Sequence, residues 1–241
     1  MEGKDIKSHG KGGKMKVVAL VSGGMDSTGF ASQYGAKGYE VYPMIFRYGQ
    51  KGEKEVEVAL SLCRKLGFHE PMVVEMEFMK GIWRGTQLTD EGVEVKGEYR
   101  PDVVVPLRNA VFLTLATAYA HTVGAEKVLY GATLSDTEVD GRTGWVKYPD
   151  TTPLFSSLLS GALAVGHFNR LVEITSPAQE GMDKVECLRR SFRVMGDLIY
   201  ETWSCYLSGR LHCGRCESCL NRKEAFRRAG IEDRTEYEVR I

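Results

Sequence analysis

The chain has 241 residues, which is enough for one α/β domain with a small appendage and excludes a mini-protein. Lysine plus arginine and aspartate plus glutamate each total 32, and the formal net charge of zero excludes a protein that coats nucleic acid through an overall basic charge. Hydrophobic residues make up 43% and charged residues 27% of the chain, which is typical of a folded protein and excludes an intrinsically disordered one.

The N-terminal residues 1–14 are rich in glycine and lysine and have no apolar periodicity, so we predict a flexible tail. This polar start does not have the pattern of a signal peptide, and the longest apolar stretch, 110–120, is too short for a membrane span. We therefore expect a cytoplasmic protein without membrane attachment.

From residue 16 onward, short apolar runs rich in β-branched residues alternate with helical patterns. The predicted strands are 16–21, 39–47, 72–76, 127–130 and 171–175. The predicted helices include 53–66, 109–123 and 183–200. This alternation predicts an α/β fold with a doubly wound parallel five-stranded sheet. The segment 75–105 is rich in glycine and charge, and we predict a long excursion above the sheet.

The first predicted strand runs directly into the motif Ser22-Gly23-Gly24-Met25-Asp26-Ser27-Thr28. At this turn of a parallel sheet, glycines let the backbone approach a ligand, and the N-terminus of the next helix attracts an anion. Hydroxyl groups in the motif add hydrogen-bond donors, and Asp26 is expected to cap the helix or to bind the magnesium of a nucleotide. The sequence therefore predicts a phosphate-binding loop.

The loop lacks the lysine of a Walker P-loop and the glycine spacing of a dinucleotide fold. It resembles instead the pyrophosphate loop of the ATP pyrophosphatase (PP-loop) superfamily, which cleaves ATP between the α- and β-phosphates. Because no lysine is available to support transfer of the terminal phosphate, the expected products are AMP and pyrophosphate. The alternative is a serine-capped helix start with no ligand.

Four cysteines cluster near the C-terminus, at Cys205, Cys213, Cys216 and Cys219. Two C-x-x-C steps have the spacing that brings sulfurs onto one tetrahedral cation, so we predict one structural zinc per chain. The alternatives are an iron–sulfur cluster, for which position 223 would need a cysteine rather than lysine, and unmetallated thiols. Cys63 and Cys187 lie in helical patterns and are interpreted as packed thiols.

Taken together, the loop and the cysteine cluster resemble the 7-cyano-7-deazaguanine synthase family (QueC), over nearly the whole chain from Met15. Further segments that carry this resemblance are Tyr48-Gly49-Gln50 with Glu55, Val105-Pro106-Leu107-Arg108-Asn109, Tyr148-Pro149-Asp150, Asp183-Lys184 with Glu186, and Thr202-Trp203-Ser204-Cys205. The resemblance implies an adenine nucleotide α-hydrolase-like fold with three parts: the tail 1–14, an ATP-binding α/β domain over 15–200, and a zinc-binding segment over 201–241 packed on it.

The implied activity is that of an ATP-dependent ligase that uses ATP, Mg²⁺ and ammonia to convert 7-carboxy-7-deazaguanine to the nitrile, a precursor of queuosine and archaeosine. Adenylation of the carboxylate would make AMP the leaving group, and ammonia would then form the amide. A second adenylation of the amide oxygen would permit elimination to the nitrile, so that two ATP are used per product.

The resemblance also implies site residues. The ATP-binding residues would be Val21, Ser22, Gly23, Gly24, Met25, Asp26, Ser27 and Thr28, with Phe46 and Arg47 where this fold places the adenine. The substrate-binding residues would be Tyr48, Gln50, Arg108, Asn109, Tyr148 and Asp150. The catalytic residues would be Ser22, Asp26, Ser27, Arg108 and Lys184.

Each of these roles has a simpler alternative. Arg108 and Asn109 could neutralise phosphate or orient the acyl group, or could be an exposed arginine and a helix cap. Asp150 could accept hydrogen bonds from a guanine-like edge or could belong to a Pro-Asp turn. Lys184 could pair with the substrate carboxylate or a phosphate, or could belong to a solvated helix start.

Four residues depart from the family pattern. The family usually has Asp where this chain has Arg47, His where it has Gly52, Gly where it has Leu107 and Cys where it has Thr151. We favour nitrile synthesis from free ammonia. The alternative for a chain with these changes is a relative that stops at the amide or joins the acyl group to a larger amine, such as one on a partner protein.

Two further classes of function are compatible with the motifs. One is a PP-loop tRNA-modifying enzyme, although the zero net charge gives no sign of direct nucleic-acid binding. The other is a non-catalytic nucleotide-binding protein. We expect a homodimer, with the excursion 75–105 and the apolar stretch 154–163 as candidate contact regions.

Overall fold

The computed structural model describes residues 14–239, so the predicted tail, apart from Lys14, lies outside the described residues. Its five strands form one parallel sheet in the order β3-β2-β1-β4-β5. The strands are β1 (Lys16–Leu20), β2 (Glu40–Arg47), β3 (Met72–Glu75), β4 (Lys127–Leu129) and β5 (Glu173–Thr175). The predicted doubly wound five-stranded sheet is therefore confirmed, with each strand within two residues of its expected bounds.

Within residues 14–239, six α-helices accompany the sheet: α1 (Met25–Ala36), α2 (Lys54–Lys65), α3 (Arg108–Val123), α4 (Pro153–Gly166), α5 (Lys184–Met195) and α6 (Glu217–Ala229). Helix α4 was expected only as an apolar stretch. Thr152 precedes it and accepts a hydrogen bond from the Phe155 N–H, and Pro153 occupies its first position. Both are helix-start signals that the apolar composition obscured.

The predicted helix over 183–200 is shorter than expected. It begins at Asp183, whose carboxylate accepts a hydrogen bond from the Glu186 N–H. The α-helix ends at Met195 because Gly196 adopts a positive φ of 53°, and a 3-10 helix, Gly196–Glu201, follows.

Successive side chains of the central strand pack into different cores on the two faces of the sheet. Val17 and Ala19 pack with α1 and α2 on one face, whereas Val18 packs with α3 on the other, and all three are buried. Burial on both faces explains why these strands read as continuous apolar runs rather than alternating ones. Helix α5 packs on α1, and α6 packs on α5.

The excursion between β3 and α3 forms no α-helix or strand and contains two 3-10 helices, Glu77–Gly81 and Pro101–Val103. Trp83 attaches it to the core, since its ring lies 6.1 Å from that of Phe112 and its Nε1 donates to the Pro106 carbonyl. The excursion is thus held against the carboxyl edge of the sheet.

One stretch, Pro101–Val123, is long and apolar enough to cross a membrane by length and composition alone. It includes α3, whose side chains Phe112, Leu113 and Ala116 are buried in the core on one face of the sheet. Packing in the protein interior accounts for its apolar composition.

The order of the strands creates a crevice between β1 and β4. The chain leaves the carboxyl ends of these neighbouring strands in different directions, and in open α/β sheets ligands bind at this point. The predicted phosphate loop follows β1 and therefore lies at the crevice.

Candidate active site

A cavity of about 340 Å³ opens at the carboxyl edge of the sheet. Most of the predicted site residues line it: Val21, Ser22, Gly24, Met25, Asp26, Ser27, Phe46, Tyr48, Gln50, Arg108, Asn109, Tyr148, Asp150 and Lys184. These residues come from five separate parts of the sequence. The structure does not bring Gly23, Thr28 or Arg47 into the lining.

The phosphate loop is held by hydrogen bonds between its own residues. The Ser22 and Ser27 Oγ atoms lie 2.8 Å apart, and the Ser27 Oγ also accepts from the Ser22 N–H at 3.1 Å. Helix α1 begins after Gly24 with no side chain capping its first turn. Its first N–H groups therefore face the cavity at the positive end of the helix dipole, which suits an anion.

Two glycines allow close packing around this loop. Gly23 has a φ of 78°, and a Cβ there would lie 2.5 Å from the carbonyl oxygen of Glu55. Gly131, directly beyond β4, would place a Cβ 2.7 Å from the Ser27 nitrogen. A side chain at either position would push the loop out of the crevice. Gly131 was not among the predicted site residues, although a glycine just after a strand is a detectable signal.

Asp26 and Lys184 form an ion pair across the cavity, with Nζ 2.5 Å from Oδ2. Burial lowers the pKa of the Lys184 ammonium, but the carboxylates of Asp26 and Asp136 outweigh this, so the net pKa is raised and the lysine stays charged. The alternative of a solvated helix start does not fit Lys184, because only 17% of its side chain is exposed. Its catalytic role stays a prediction.

The other oxygen of Asp26, Oδ1, is buried and has no hydrogen-bond partner among the described residues. Asp136 lines the same cavity and accepts hydrogen bonds from the backbone and hydroxyl of Thr133. Two carboxylates beside a phosphate loop are hard oxygen donors that suit Mg²⁺. Sequence reasoning missed Asp136, which lies in an irregular segment after β4.

The end of β2 separates the two residues expected near adenine. Phe46 lines the cavity and stacks on Phe112 with ring centroids 4.0 Å apart. Arg47 instead pairs with Glu53 and Glu75, at 3.2 and 2.8 Å, outside the cavity lining. Successive side chains of a strand point to opposite faces, so this alternation could have been read from the sequence.

Arg108 lies in the first turn of α3 and also lines the cavity. Its Nη1 donates to the hydroxyl of Tyr48 at 3.0 Å. Burial raises the pKa of the nearby Asp150 carboxyl, while Arg108 and hydrogen bonds from Asn109 lower it. The cavity thus contains a second polar cluster, in which a carboxyl group and a guanidinium group lie close to aromatic rings.

Two predicted substrate contacts are already hydrogen-bonded within the protein. Gln50 accepts from the Tyr48 N–H and donates to the Phe46 carbonyl and to Glu55 Oε1. The hydroxyl of Tyr148 donates to the carboxylate of Glu217. Both side chains line the cavity, and these bonds fix their orientation.

The four clustered cysteines lie together beside this cavity. Their sulfur atoms are within 4.8 Å of one another and all four residues are buried. Backbone N–H groups of Cys213, Cys216 and Cys219 point to the sulfurs of Cys205, Cys213 and Cys216 at 3.3–3.4 Å. Four converging thiols with N–H donors around them fit a tetrahedral thiolate-bound metal with no open coordination position.

The four departures from the family pattern fall in different places. Arg47 and Leu107 lie outside the cavity lining, and Leu107 is 70% exposed with a φ of 55°. Thr151 lines the cavity, but its hydroxyl donates to the Tyr148 carbonyl at 2.6 Å. Gly52 also lines it, and a Cβ there would lie 3.4 Å from the carbonyl oxygens of Cys205 and Tyr206.

Comparisons with known proteins agree with this arrangement. Residues 16–230 match the family model described as queuosine biosynthesis protein QueC. A protein named 7-cyano-7-deazaguanine synthase from Psychromonas ingrahamii is 37% identical over 228 residues, covering 92% of this chain and 98% of that protein. One of the same name from Caldicellulosiruptor bescii is 36% identical over 231 residues, covering 94% and 99%.

Among solved structures, a 4-thiouridine synthetase in complex with RNA and ATP matches with a TM-score of 0.46 and 13% identity, over 90% of this chain and 50% of that one. An NH3-dependent NAD synthetase from Campylobacter jejuni matches with a TM-score of 0.36 and 15% identity, over 94% and 90%. The family match spans nearly all the described residues and includes both the phosphate loop and the cysteine cluster. This chain belongs to the QueC family of queuosine biosynthesis proteins.

Proposed function

We propose that the protein is an ATP-dependent 7-cyano-7-deazaguanine synthase that converts 7-carboxy-7-deazaguanine and ammonia to the nitrile. The observation that carries this proposal is the single cavity that holds an anion-binding loop together with the Arg108–Asp150 cluster. The first suits the phosphates of ATP, and the second suits a polar heterocycle with a carboxylate. The relatives' name, 7-cyano-7-deazaguanine synthase, supports the same reaction.

In this proposal the free N–H groups of α1 and the hydroxyls of Ser22 and Ser27 bind the pyrophosphate part of ATP. The substrate carboxylate attacks the α-phosphorus, the bond to the β-phosphate oxygen breaks, and pyrophosphate leaves. Lys184 and Arg108 stabilise the negative charge that develops on the phosphate and acyl oxygens. The products of ATP are AMP and pyrophosphate, which makes the enzyme a carbon–nitrogen ligase.

The nitrile forms in a second round on the bound amide. The nitrogen of ammonia first attacks the acyl carbon and AMP leaves, which gives the amide. The amide oxygen then attacks the α-phosphorus of a second ATP, and pyrophosphate leaves. Loss of both N–H protons of the amide with departure of AMP forms the carbon–nitrogen triple bond. The carboxyl group of Asp150 accepts hydrogen bonds from the guanine-like edge and holds the substrate through both rounds.

Two metals complete the proposal. Mg²⁺, held by Asp26 and Asp136, neutralises phosphate charge. Zn²⁺, bound by Cys205, Cys213, Cys216 and Cys219, is structural because four thiolates fill its coordination sphere. We therefore propose that zinc stabilises the segment beside the cavity and takes no part in the chemistry.

The positions of the departures favour nitrile synthesis over a product that stops at the amide. Arg47 and Leu107 lie outside the cavity lining, and the hydroxyl of Thr151 is occupied by a turn. Gly52 lines the cavity, and a Cβ there would lie 3.4 Å from the carbonyl oxygens of Cys205 and Tyr206, so glycine fits closely at this position. We propose that these changes leave the reaction unaltered.

We further propose that the enzyme is a cytoplasmic homodimer that joins through α4. Leu154, Leu158 and Val165 on this helix are 65–76% exposed, and Gly161 and Ala162 between them are exposed small residues. An apolar stripe with small residues at its centre suits close contact with the same helix of a second copy. Replacing Leu158 by Glu should convert a dimer to a monomer in analytical ultracentrifugation.

The decisive experiment is incubation with ATP, Mg²⁺, 7-carboxy-7-deazaguanine and ammonium, followed by mass spectrometry of the products. We expect the nitrile, with two AMP and two pyrophosphate per nitrile. ADP as the nucleotide product, or one AMP with a stable amide, would contradict the proposal. The same assay without the deazaguanine is the control for uncoupled ATP hydrolysis.

A further inference from the structure

Glu55 is a carboxyl group in the cavity to which none of the roles above is assigned. It lies in the first turn of α2, is half-buried and lines the cavity. Its Oε1 accepts one hydrogen bond, from Gln50 Nε2 at 3.0 Å. None of the hydrogen bonds found among the described residues involves its Oε2. A half-buried carboxyl oxygen at a cavity wall is available to a small molecule.

The position of Glu55 is set by the two parts of the site between which it lies. Its backbone carbonyl packs against Gly23 of the phosphate loop, so closely that a Cβ on Gly23 would lie 2.5 Å from it. Its side chain is directed by Gln50, which is itself fixed by the backbone of Tyr48 and Phe46. Glu55 is therefore attached rigidly to both the phosphate loop and the end of β2.

The charged and titratable groups around this carboxyl come from several elements. Arg108 faces it from the start of α3, Tyr48 from the end of β2, and Tyr206 from the cysteine segment lines the same cavity. Burial raises the pKa of Glu55 to about 7, although Arg108 and the Gln50 hydrogen bond oppose the rise. At neutral pH the group can thus both accept and release a proton.

The proposed reaction requires such a group. Ammonium carries no lone pair and must lose a proton before its nitrogen can attack the acyl-adenylate. Lys184 and Arg108 are cations and cannot accept this proton, and Asp26 is paired with Lys184. Of the other carboxyl groups that line the cavity, Asp26 and Asp136 are the proposed magnesium ligands. Asp150 accepts hydrogen bonds from Asn109 and is proposed to hold the substrate. Glu55, next to the phosphate loop, is the lining carboxyl group that these roles leave free.

We propose that the Glu55 carboxylate is the proton acceptor for the incoming ammonium, an inference that rests on the proposed function. A proton passes from ammonium to Oε2, and the nitrogen lone pair forms the bond to the acyl carbon. The bond from that carbon to the AMP oxygen breaks and AMP leaves with the electron pair, and the nitrogen loses a second proton to solvent to give the neutral amide. The accepted proton is released to solvent through the open side of the cavity.

The test separates adenylation from attack by the amine. Glu55→Gln keeps the size and the hydrogen bond to Gln50 but removes the proton acceptor. With 7-carboxy-7-deazaguanine and ATP, we expect its rate of pyrophosphate release in a single turnover to stay within about threefold of wild type. We expect the ammonium-dependent conversion of the acyl-adenylate to fall about 10²–10⁴-fold. The matched control is Glu57→Gln, an exposed position on the same helix, which should behave as wild type.

Hydroxylamine distinguishes a proton acceptor from a residue that only shapes the cavity. Because hydroxylamine is neutral at pH 7, it needs no proton acceptor, and Glu55→Gln should form the hydroxamate at close to the wild-type rate. In wild type, the ammonium-dependent rate should rise through a midpoint near pH 7, and this rise should be lost in the variant.

Two results would overturn the inference. One is an equal loss with ammonium and hydroxylamine, and the other is a wild-type rate with ammonium in Glu55→Gln. If the wild-type protein releases no pyrophosphate with this substrate, the proposed function fails and the inference fails with it. A loss of ammonium-dependent conversion in Glu55→Gln, with pyrophosphate release intact in wild type, therefore cannot be mistaken for failure of the proposed function.

Discussion

The phosphate loop and the cysteine cluster lie close to each other, but they satisfy their polar groups differently. In and beside the loop, Asp26 Oδ1 and Thr28 Oγ1 are buried without hydrogen-bond partners among the described residues, and no side chain caps the first turn of α1. In the cluster, the sulfurs of three cysteines already accept backbone N–H bonds, and the four sulfurs face one another.

On the proposed function, this difference separates a site for chemistry, the phosphate loop, from a site for stability, the cysteine cluster. Unpartnered polar groups cost folding free energy, so a loop that keeps them is prepared for a ligand that supplies the missing partners. Four thiolates around one metal ion leave no coordination position for a substrate. The free energy of binding such a metal would contribute to folding. Variants in the two regions should therefore change different measured quantities.

The largest expected effect is on stability, in the cysteine cluster. Cys216→Ser removes one of four metal ligands, and we expect the free energy of unfolding to fall by more than about 4 kcal/mol, because structural metal binding is largely folding free energy. Thermal unfolding with and without a chelator, together with metal analysis, measures this. We expect one zinc per wild-type chain.

The matched control for Cys216→Ser is Cys63→Ser, which alters a buried thiol of α2 outside the cluster. The control should lose about 1–2 kcal/mol and should still be destabilised by a chelator. A Cys216→Ser protein that keeps its melting temperature but loses activity would contradict the structural role, and bound iron would contradict zinc.

The second effect is on turnover, in the phosphate loop. Ser22→Ala removes a hydroxyl that lies against Ser27 and Gly24 in an exposed loop. We expect turnover to fall about 10²-fold, since one preorganised donor at a developing charge contributes about that much. The free energy of unfolding should change by less than about 1 kcal/mol. Steady-state kinetics and urea unfolding measure the two quantities.

Ser157→Ala, at an exposed position on α4, is the control for Ser22→Ala and should leave both quantities unchanged. A Ser22→Ala enzyme with wild-type turnover would mean that the loop does not bind the reacting phosphates. A large loss of stability would mean that the loop, like the cysteine cluster, serves mainly to hold the fold together.

The third effect depends on pH and concerns Glu55, next to the loop. Its pKa is raised to about 7 from an ordinary value of 4.5, so the unfolded chain ionises first as pH rises. Between about pH 4.5 and 7 the native state holds the extra proton, and the contribution of this group to stability falls as pH rises. Glu55→Gln should therefore be as stable as wild type at pH 4.5 and more stable above pH 7.

Above pH 7 we expect the free energy of unfolding of Glu55→Gln to exceed that of wild type by about 1–2 kcal/mol. Solvent at the open cavity screens this half-buried carboxyl group, so the effect is smaller than for a fully buried one. Urea unfolding of both proteins from pH 4.5 to pH 8 measures it. A stability difference that is independent of pH would contradict the raised pKa, and Glu57→Gln should show no such window.

The smallest effect concerns Leu107, before α3. Its φ of 55° lies in the left-handed region that glycine adopts without strain, and its side chain is 70% exposed. Leu107→Gly should raise the free energy of unfolding by about 0.5 kcal/mol, because relief of strain exceeds the greater freedom of glycine in the unfolded chain. Leu115→Gly, in the middle of α3, should instead lower it by about 1 kcal/mol.

Much of the fold was predictable because its signals are local. The central strand β1 is buried on both faces and gives a continuous apolar run, and all five strands were located from short apolar runs. Helix α4 was missed as a helix because its apolar composition concealed the start at Thr152 and Pro153. The end of α5 was misplaced because a single glycine, Gly196, changes the backbone direction without altering the pattern before it.

The site was predictable to the extent that its residues form short motifs. The loop and the cysteine cluster were both found in this way. Arg47 was assigned to the cavity in error, because the alternation of side chains along β2 was not taken into account, and it pairs with Glu53 and Glu75 instead. Asp136 and Gly131 were not among the predicted site residues, and Glu55 was noted only in a segment that carries the family resemblance. All three line or abut the cavity because the fold brings their segments to the same edge of the sheet.

Periodicity and spacing within a few residues specify local conformation, so the sheet, the phosphate loop and the set of four thiols could be predicted from the sequence alone. The contact of Lys184 with Asp26, 158 residues earlier, and that of Arg108 with Tyr48, 60 residues earlier, became visible only in the folded chain. Such pairs depend on the order of strands in the sheet, which brings distant chain segments to one carboxyl edge. Burial between these segments then sets the charge states that the chemistry uses.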